Sequence, residues 1–440
     1  MTAPTRSLLV ADARTKARNR AEARFRAYGL AAILLSVTLL GILLASILSN
    51  GLSAFRQTEI TIPVTLDAAA VDKGGKGDLS SLRATSATAY GKLIAKALKD
   101  ELARQSIPTA GLSDKDIAAL ISEQAGADLR NRVLGDPRLV GQTVTVDALA
   151  TGRIDGYFKG RVTLESAEKD SKIKPEQLHL ADAMRDAGMM ALRFNSGFLT
   201  NPDASEKRPE AAGLGVAIAG SLYMMIVVLG LSLPIGVAAA VYLEEFAPKN
   251  RFTDLIEVNI ANLAAVPSIV FGILGLAAFI NFAGLPRSAP LVGGLVLTLM
   301  TLPRIIIPAR AALKAVPPSI RDAALGIGAS KMQSVFHHVL PLAAPGILTG
   351  MIIGLAQALG ETAPLLLIGM VAFVRDMPGL PPGGFLDPAT ALPVQVYNWT
   401  QRADPAFTER ASGAIIVLLA FLLIMNAAAI LLRRRFERRW

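Results

Sequence analysis

The sequence predicts an all-α polytopic membrane protein of six transmembrane helices that carries a small α+β domain outside the membrane. Three observations lead there. Six apolar runs, 28–48, 214–243, 260–282, 291–307, 347–371 and 414–432, meet or approach the roughly 20 residues a helix needs to cross a hydrocarbon core. With 52% hydrophobic residues and a mean hydropathy of +0.45, the chain of 440 residues is too apolar for an ordinary soluble domain. The third observation is where the charge falls. Residues 1–27 hold seven basic and two acidic groups, 433–440 five and one, and 304–338 five and one, so the net +10 sits in segments that six crossings place on one side. The acidic stretch 244–257 shares that side without reversing its sign. This is the positive-inside pattern, and it puts both termini and the loop around Asp322 in the cytoplasm of a multi-pass inner-membrane protein. The same distribution argues against nucleic acid as a partner.

The basic arm 1–27 suits anionic lipid headgroups and need not be ordered. The first transmembrane helix, 28–49, is longer than a signal-peptide core and reads as an uncleaved anchor, although Ala45 and Ser46 leave a cleavage site open. The polar insert 50–210, with 22 basic and 22 acidic residues, is large enough for its own core. Ile60, Ile62, Val64 and Leu66 alternate as in a strand, and Pro63 favours an edge position. Helical periodicity runs over 87–105, over 113–134, opened by Ser113 with Asp114 and Asp116 in its first turn, and over 175–190; 142–150 and 152–164 read as strands. The five-helix stretch 211–432 follows, with a cytoplasmic loop at 309–340 and the basic tail 433–440. Without cysteine the insert has no disulfides, and three histidines, two of them the adjacent His337 and His338, give no metal constellation. No cofactor is expected. Gly74-Gly75-Lys76-Gly77 lacks phosphate-loop spacing and reads as a turn, so ATP hydrolysis belongs to another chain.

Between the fourth and fifth runs lies a polar helix-turn-helix too short and charged for lipid. Ser319, three residues before Asp322, reads as a cap on its first helix. Gly326 and Gly328 end that helix, and 330–339 forms a second one before Pro341. From local physics alone a solvated loop is an equal reading. However, Asp322, Ala323, Ala324, Gly328, Leu340 and Pro341 resemble the EAA loop of ABC-importer permeases, with Asp where Glu is usual. Pro345-Gly346-Ile347-Leu348-Thr349-Gly350 and Gly360-Glu361-Thr362-Ala363-Pro364-Leu365-Leu366 resemble the phosphate-specific, PstA-type branch. Tyr242-Leu243-Glu244-Glu245-Phe246 and Ala265-Val266-Pro267-Ser268 fit it as well. The likeness covers 213–432, half the chain.

This resemblance implies the ABC-importer permease fold and a non-catalytic permease subunit for inorganic phosphate. It also implies a second permease of PstC type, a cytoplasmic ATPase dimer of PstB type and a periplasmic phosphate-binding protein of PstS type. Ser319, Arg321, Asp322, Ala323, Ala324, Gly328, Ala329 and Ser330 would then meet the ATPase. Glu361, in the middle of an apolar run, either lines the path, pairs with a cation on a neighbouring span, or makes a structural bond with Thr362 or freed backbone. Related permeases place an Arg shortly before Gly-Glu-Thr, where Gln357 stands in this chain. Arg304, after Pro303, offers positive potential to an oxyanion or, like Arg310, snorkels at the inner end of its span. Pro267-Ser268 and Pro364 free backbone groups, which are tolerated only against protein or a wet cavity. Gly346, Gly350 and Gly354 form a stripe for close helix contact, within the chain or with the partner permease. The insert departs from the shorter family pattern, serving as a spacer or a contact for the binding protein or partner permease. Rival readings are a permease for sulfate, molybdate or phosphonate, a membrane sensor, and a secondary transporter.

Overall fold

The computed structural model describes residues 13–72, 79–370 and 373–436; the Gly74-Gly75-Lys76-Gly77 patch lies outside them. Residues 1–50 and 51–440 form two compact units. The first is the helix α1 (Ala13–Gly51), which takes up the basic arm from Ala13 onward, so that part of the arm is ordered helix rather than a loose tail.

In the second unit, the polar segment is built on a three-stranded antiparallel sheet, β1 (Arg56–Thr65), β2 (Thr143–Leu149) and β3 (Met190–Phe194), in the order β2-β1-β3. Ile60, Ile62, Val64 and Leu66 alternate onto one face and are fully buried. Helix α2 (Ala87–Arg104) covers that face with Tyr90, Ile94, Leu98 and Leu102, a stripe at four-residue spacing. Helix α3 (Gln124–Gly135) crosses α2 where Gly126 leaves no room for a Cβ against Ala87 and Gly91. Strand β1 is central, not an edge. Pro63 is still accommodated: Thr61 donates to the Met189 carbonyl on the β3 side, and Pro63, two residues on, points its nitrogen to that side beyond the last β3 pairing, Ile60 with Met190.

Three expectations in this segment need correction. The strand expected over 152–164 is a helix, α4 (Gly152–Phe158), followed by a short helix at Leu164–Glu168. Ile154, Phe158, Val162 and Leu164 alternate as a strand would, but Ile154, Tyr157 and Phe158 fall at helical spacing, and β1 already has its neighbours. The helix expected over 113–134 is interrupted: Ser113 forms a capping box with Asp116 over Asp114–Ala118, then Ile121 bridges to Ala150 before α3 begins. The helix expected to reach 190 is α5 (Pro175–Asp186), and Gly188, at φ +77°, turns the chain into β3, an unforeseen strand.

The apolar half contains α6 (Gly215–Val241), α7 (Arg251–Ala264), α8 (Ser268–Gly275, prolonged by wide turns at Leu276–Phe282) and α9 (Pro290–Lys314). It continues with α10 (Pro318–Gly326), α11 (Leu340–Gly360), α12 (Ala363–Leu367), α13 (Leu392–Thr400) and α14 (Pro405–Phe436). Among the described residues five helices are long and apolar enough to cross a membrane, or six when α7 and α8, bent by 102°, count as one. The run expected as the third span is thus broken by that bend, and the fifth stops at Gly360 instead of running to 371. The glycine stripe of α11 packs inside the chain: Gly346 lies against Ala312, Gly350 against Pro308 and Gly354 against Thr301, all on α9.

The polar segment is joined to α13 and α14 by buried aromatics and buried charge. Phe198, Trp399 and Phe407 form one cluster. Lys159 sits 2.7 Å from Asp155 and 3.0 Å from Glu409, and Arg161 also reaches Glu409. The Arg410 guanidinium donates to the Ala212 and Glu210 carbonyls at 2.6 and 2.8 Å. Burial pushes the Glu210 carboxyl above its ordinary range, against the Ser122 hydroxyl and Gly152 N–H that it accepts. Removing one partner of such a buried pair strands the other. Glu409→Ala should therefore lower stability by about 3–5 kcal/mol, with Glu409→Asp milder; thermal unfolding in detergent measures it, and an unchanged midpoint would show the network to be idle.

Candidate coupling helix and translocation path

Helix α10 is nine residues long, starts at Pro318 and is preceded by Pro317 with no side-chain cap. Ser319 is therefore inside the first turn, not the cap, because a proline at the first helical position already has its φ set and no amide to satisfy. At the other end Gly328 adopts φ +89°, and the Ala329 N–H reaches back to the Ala324 carbonyl at 3.1 Å. Ser330 then caps the next helix reciprocally with Gln333: its hydroxyl accepts the Gln333 N–H at 3.2 Å, and its own N–H donates to the Gln333 side chain at 2.8 Å. This helix does not stop before Pro341. It runs through wide turns at Val335–Val339 into α11 as one rod, Lys331–Gly360, because those turns already release amides and the proline falls in the first turn of α11.

What holds α10 is Arg321. Its guanidinium meets the Glu245 carboxylate at 2.6 Å and donates to the Val316 and Leu313 carbonyls at 2.8 and 2.9 Å. Glu245 belongs to the turn Tyr242–Phe246 that ends α6, and its neighbour Glu244 shares Arg310 with Glu257. Lys331 lies over the Phe246 ring. Ala324 is buried, whereas Asp322, Ala323, Leu325, Gly328, Ser330 and Ile327, the last 84% exposed, face outward; Ala329 is half-buried. Arg321, expected to face a partner, faces inward instead. Sequence reasoning gave no role to Glu244, Glu245 and Glu257; carboxylates closing an apolar run, beside a basic loop on the same side, were the available signal.

The second site lies on α9. Arg304 stands ten residues before the end of that helix rather than at its end. Its Nη1 is 3.9 Å from Glu361 Oε1, with side-chain exposures of 22% and 18%. Glu361 is the residue at which α11 ends, and Thr362 precedes α12, its carbonyl accepting the Leu365 and Leu366 amides. The cation beside Glu361 thus comes from the neighbouring helix α9, not from α11. Gln357 is exposed one turn earlier. Ser268 opens α8, which touches α12 where Gly272 faces Pro364. No described bond joins Gln357 or Ser268 to the Arg304–Glu361 pair. Among the described residues no group of His, Cys, Asp or Glu could hold a metal.

Residues 232–440 match the family described as "Binding-protein-dependent transport system inner membrane component", and residues 12–168 match a domain of unknown function, DUF3333. The chain is 32% identical to a probable ABC transporter permease protein, YqgI, of Bacillus subtilis, over 50% of this chain and 78% of the relative. The chain belongs to the binding-protein-dependent permease family. It is also 31% identical to the phosphate transport system permease protein PstA 1 of Mycobacterium tuberculosis H37Rv, over 51% of this chain and 70% of the relative. For PstA of Xylella fastidiosa the identity is 28%, over 51% and 77%. Membership and the apolar helices make it a multi-pass inner-membrane protein of PstA type, one that associates with an ATPase and a substrate-binding protein.

In this permease the loop depends on Arg321, so Arg321→Ala should loosen 317–335, read as faster amide exchange there. Arg321→Lys should not restore protection, because an ammonium cannot replace the fork that bonds a carboxylate and two carbonyls together. Protection unchanged in both variants would refute the clamp.

Proposed function

We propose that this chain is the membrane subunit through which an ATP-driven importer passes inorganic phosphate from a periplasmic binding protein to the cytoplasm. Its partners on this reading are a second permease of PstC type, an ATPase dimer of PstB type and a binding protein of PstS type, with both termini cytoplasmic and the 50–210 insert periplasmic. The observation that carries the proposal is α10, a short helix fastened on one side by Arg321 and bare on the other, where Asp322, Ala323, Leu325 and Ile327 offer a mixed polar and apolar face. Such a face fits a cleft on a cytoplasmic motor. Closure of the ATPase moves α10 as a rigid piece, and reciprocity requires that the loaded binding protein outside alter the ATPase inside.

Phosphate as cargo is supported by the names of the PstA relatives and by the intramembrane pair. Arg304 Nη1 is loosely partnered at 3.9 Å and otherwise lacks a hydrogen bond. A guanidinium offers paired donors that match phosphate oxygens, so an arriving anion can take the place of Glu361, which balances Arg304 while the path is empty. Competition by sulfate, molybdate and phosphonate in the uptake assay separates phosphate from the other oxyanions.

Two variants divide the mechanism. Gly328→Leu forces a branched side chain to φ +89°, where L residues are strained, and should lose both ATPase association and phosphate uptake. Arg304→Ala should abolish uptake while the ATPase still co-purifies. Full activity of Gly328→Leu would remove α10 from the coupling, and normal uptake by Arg304→Ala would remove the pair from the path.

A further inference from the structure

Helix α7 is amphipathic in an unusual setting. It follows α6, a membrane span, and precedes α8, from which it is bent by 102° at Val266-Pro267. One side packs inward: Thr253 is buried, Ile256 and Ile260 join the cluster of Val241, Leu313, Val316 and Val335, and Glu257 bonds Arg310 at 2.7 Å. That cluster also packs beneath α10, so α7 lies at the same end of the bundle as α10. A second side carries large apolar residues that nothing in this chain covers. Phe252, Leu255 and Leu263 are 68%, 58% and 46% exposed, with Val258 beside them at 56%. Asn259 lies in this stripe, but its amide is turned back onto the Leu255 carbonyl at 2.7 Å, which lessens its demand for water. The remaining side shows Asp254, and Lys249 and Arg251 stand exposed at the start of the helix.

We infer that α7 lies in the plane of the membrane surface, with Phe252, Leu255 and Leu263 sunk into the headgroup–acyl boundary and Asp254 facing water. The occupant of the stripe is lipid because α7 follows α6, which is long and apolar enough to cross the bilayer, and leads into α8, whose Ile269, Val270, Ile273 and Leu274 are likewise uncovered. The end of α6 sets α7 at the depth where hydrocarbon gives way to headgroups, and the 102° turn sets it across the direction of α8. The three-way division of its circumference, into protein, lipid and water, matches what a helix at that depth requires. The cations at its start are placed to meet lipid phosphates.

The absence of cysteine makes the test direct. Phe252→Cys, Leu255→Cys, Leu263→Cys and Asp254→Cys are each spin-labelled in the full-length chain, purified with its ATPase and placed in nanodiscs containing phosphatidylglycerol. Collision with oxygen should exceed collision with a water-soluble nickel chelate at 252, 255 and 263, placing those labels about 5–10 Å below the phosphates, and the preference should reverse at 254. Nickel dominating at all four positions would put α7 in water, and labels at 252, 255 and 263 shielded from both reagents would put a protein partner on the stripe; either overturns the inference. Retained ATPase co-purification, together with the 254 label on the same helix, guards against reading a misfolded variant as a result.

Discussion

A helix of nine residues has too few internal hydrogen bonds to stand alone in water, so α10 exists only as far as something else holds it. Arg321 is that hold, and its position explains why one residue suffices. Its guanidinium faces the Leu313 carbonyl in the last turn of α9, the Val316 carbonyl just beyond it, and the carboxylate that closes α6. Three chain segments end within reach of one planar fork. Glu245 is 6% exposed, and a carboxylate so placed is tolerable only while paired, so the clamp and the buried charge require each other. Because every donor of this contact points inward, the outer face of α10 keeps its side chains unengaged.

The same economy governs the interruptions in the spans. The chain breaks helical bonding at Val266-Pro267 and again at Glu361-Thr362, and the short helices that follow the breaks, α8 and α12, lie against each other at Gly272 and Pro364. Backbone freed inside a bilayer must face protein or a wet cavity, and the packing of α12 on α8 meets the first condition for the break at Glu361-Thr362. Glu361 is carried at one of these breaks, where the chain leaves its helical course and a carboxylate can turn toward Arg304 rather than toward lipid.

Much of this was legible in the sequence, and the failures share a cause. Spans were found because an apolar run of about 20 residues has few other uses, and the buried face of β1 because strict alternation has few other readings. The glycine end of α10 was visible at Gly326 and Gly328, whereas the cap read at Ser319 lies instead at Ser330. What failed was anything decided by a second segment. Ile154 and Phe158 fit a strand with Val162 or a helix with Tyr157, and only the completed sheet chose. The run 260–282 gave no sign that its first residues belong to an amphipathic elbow beginning at Arg251, because the apolar residues of α7 serve two faces at once. Arg321 looked like a partner contact for the same reason: its true partner, Glu245, lies 76 positions away.

The continuity of Lys331–Gly360 has a mechanical consequence for the proposed coupling. Thirty residues of helix make a rod of about 45 Å, with Ser330 beside α10 at one end and Glu361 at the other. Gly346, Gly350 and Gly354 bring it close to Ala312, Pro308 and Thr301 of α9, while Ile347, Leu348 and Met351 share buried clusters with Ile305, Ile306 and Leu313 of the same helix. On that proposal a displacement at the α10 end would be carried along this helix toward Glu361, which stands 3.9 Å from Arg304 of α9. The far side of the bundle is held differently: α14 is fixed to the polar segment through Glu409 and Arg410, whose buried bonds cannot stretch without exposing unpaired charge.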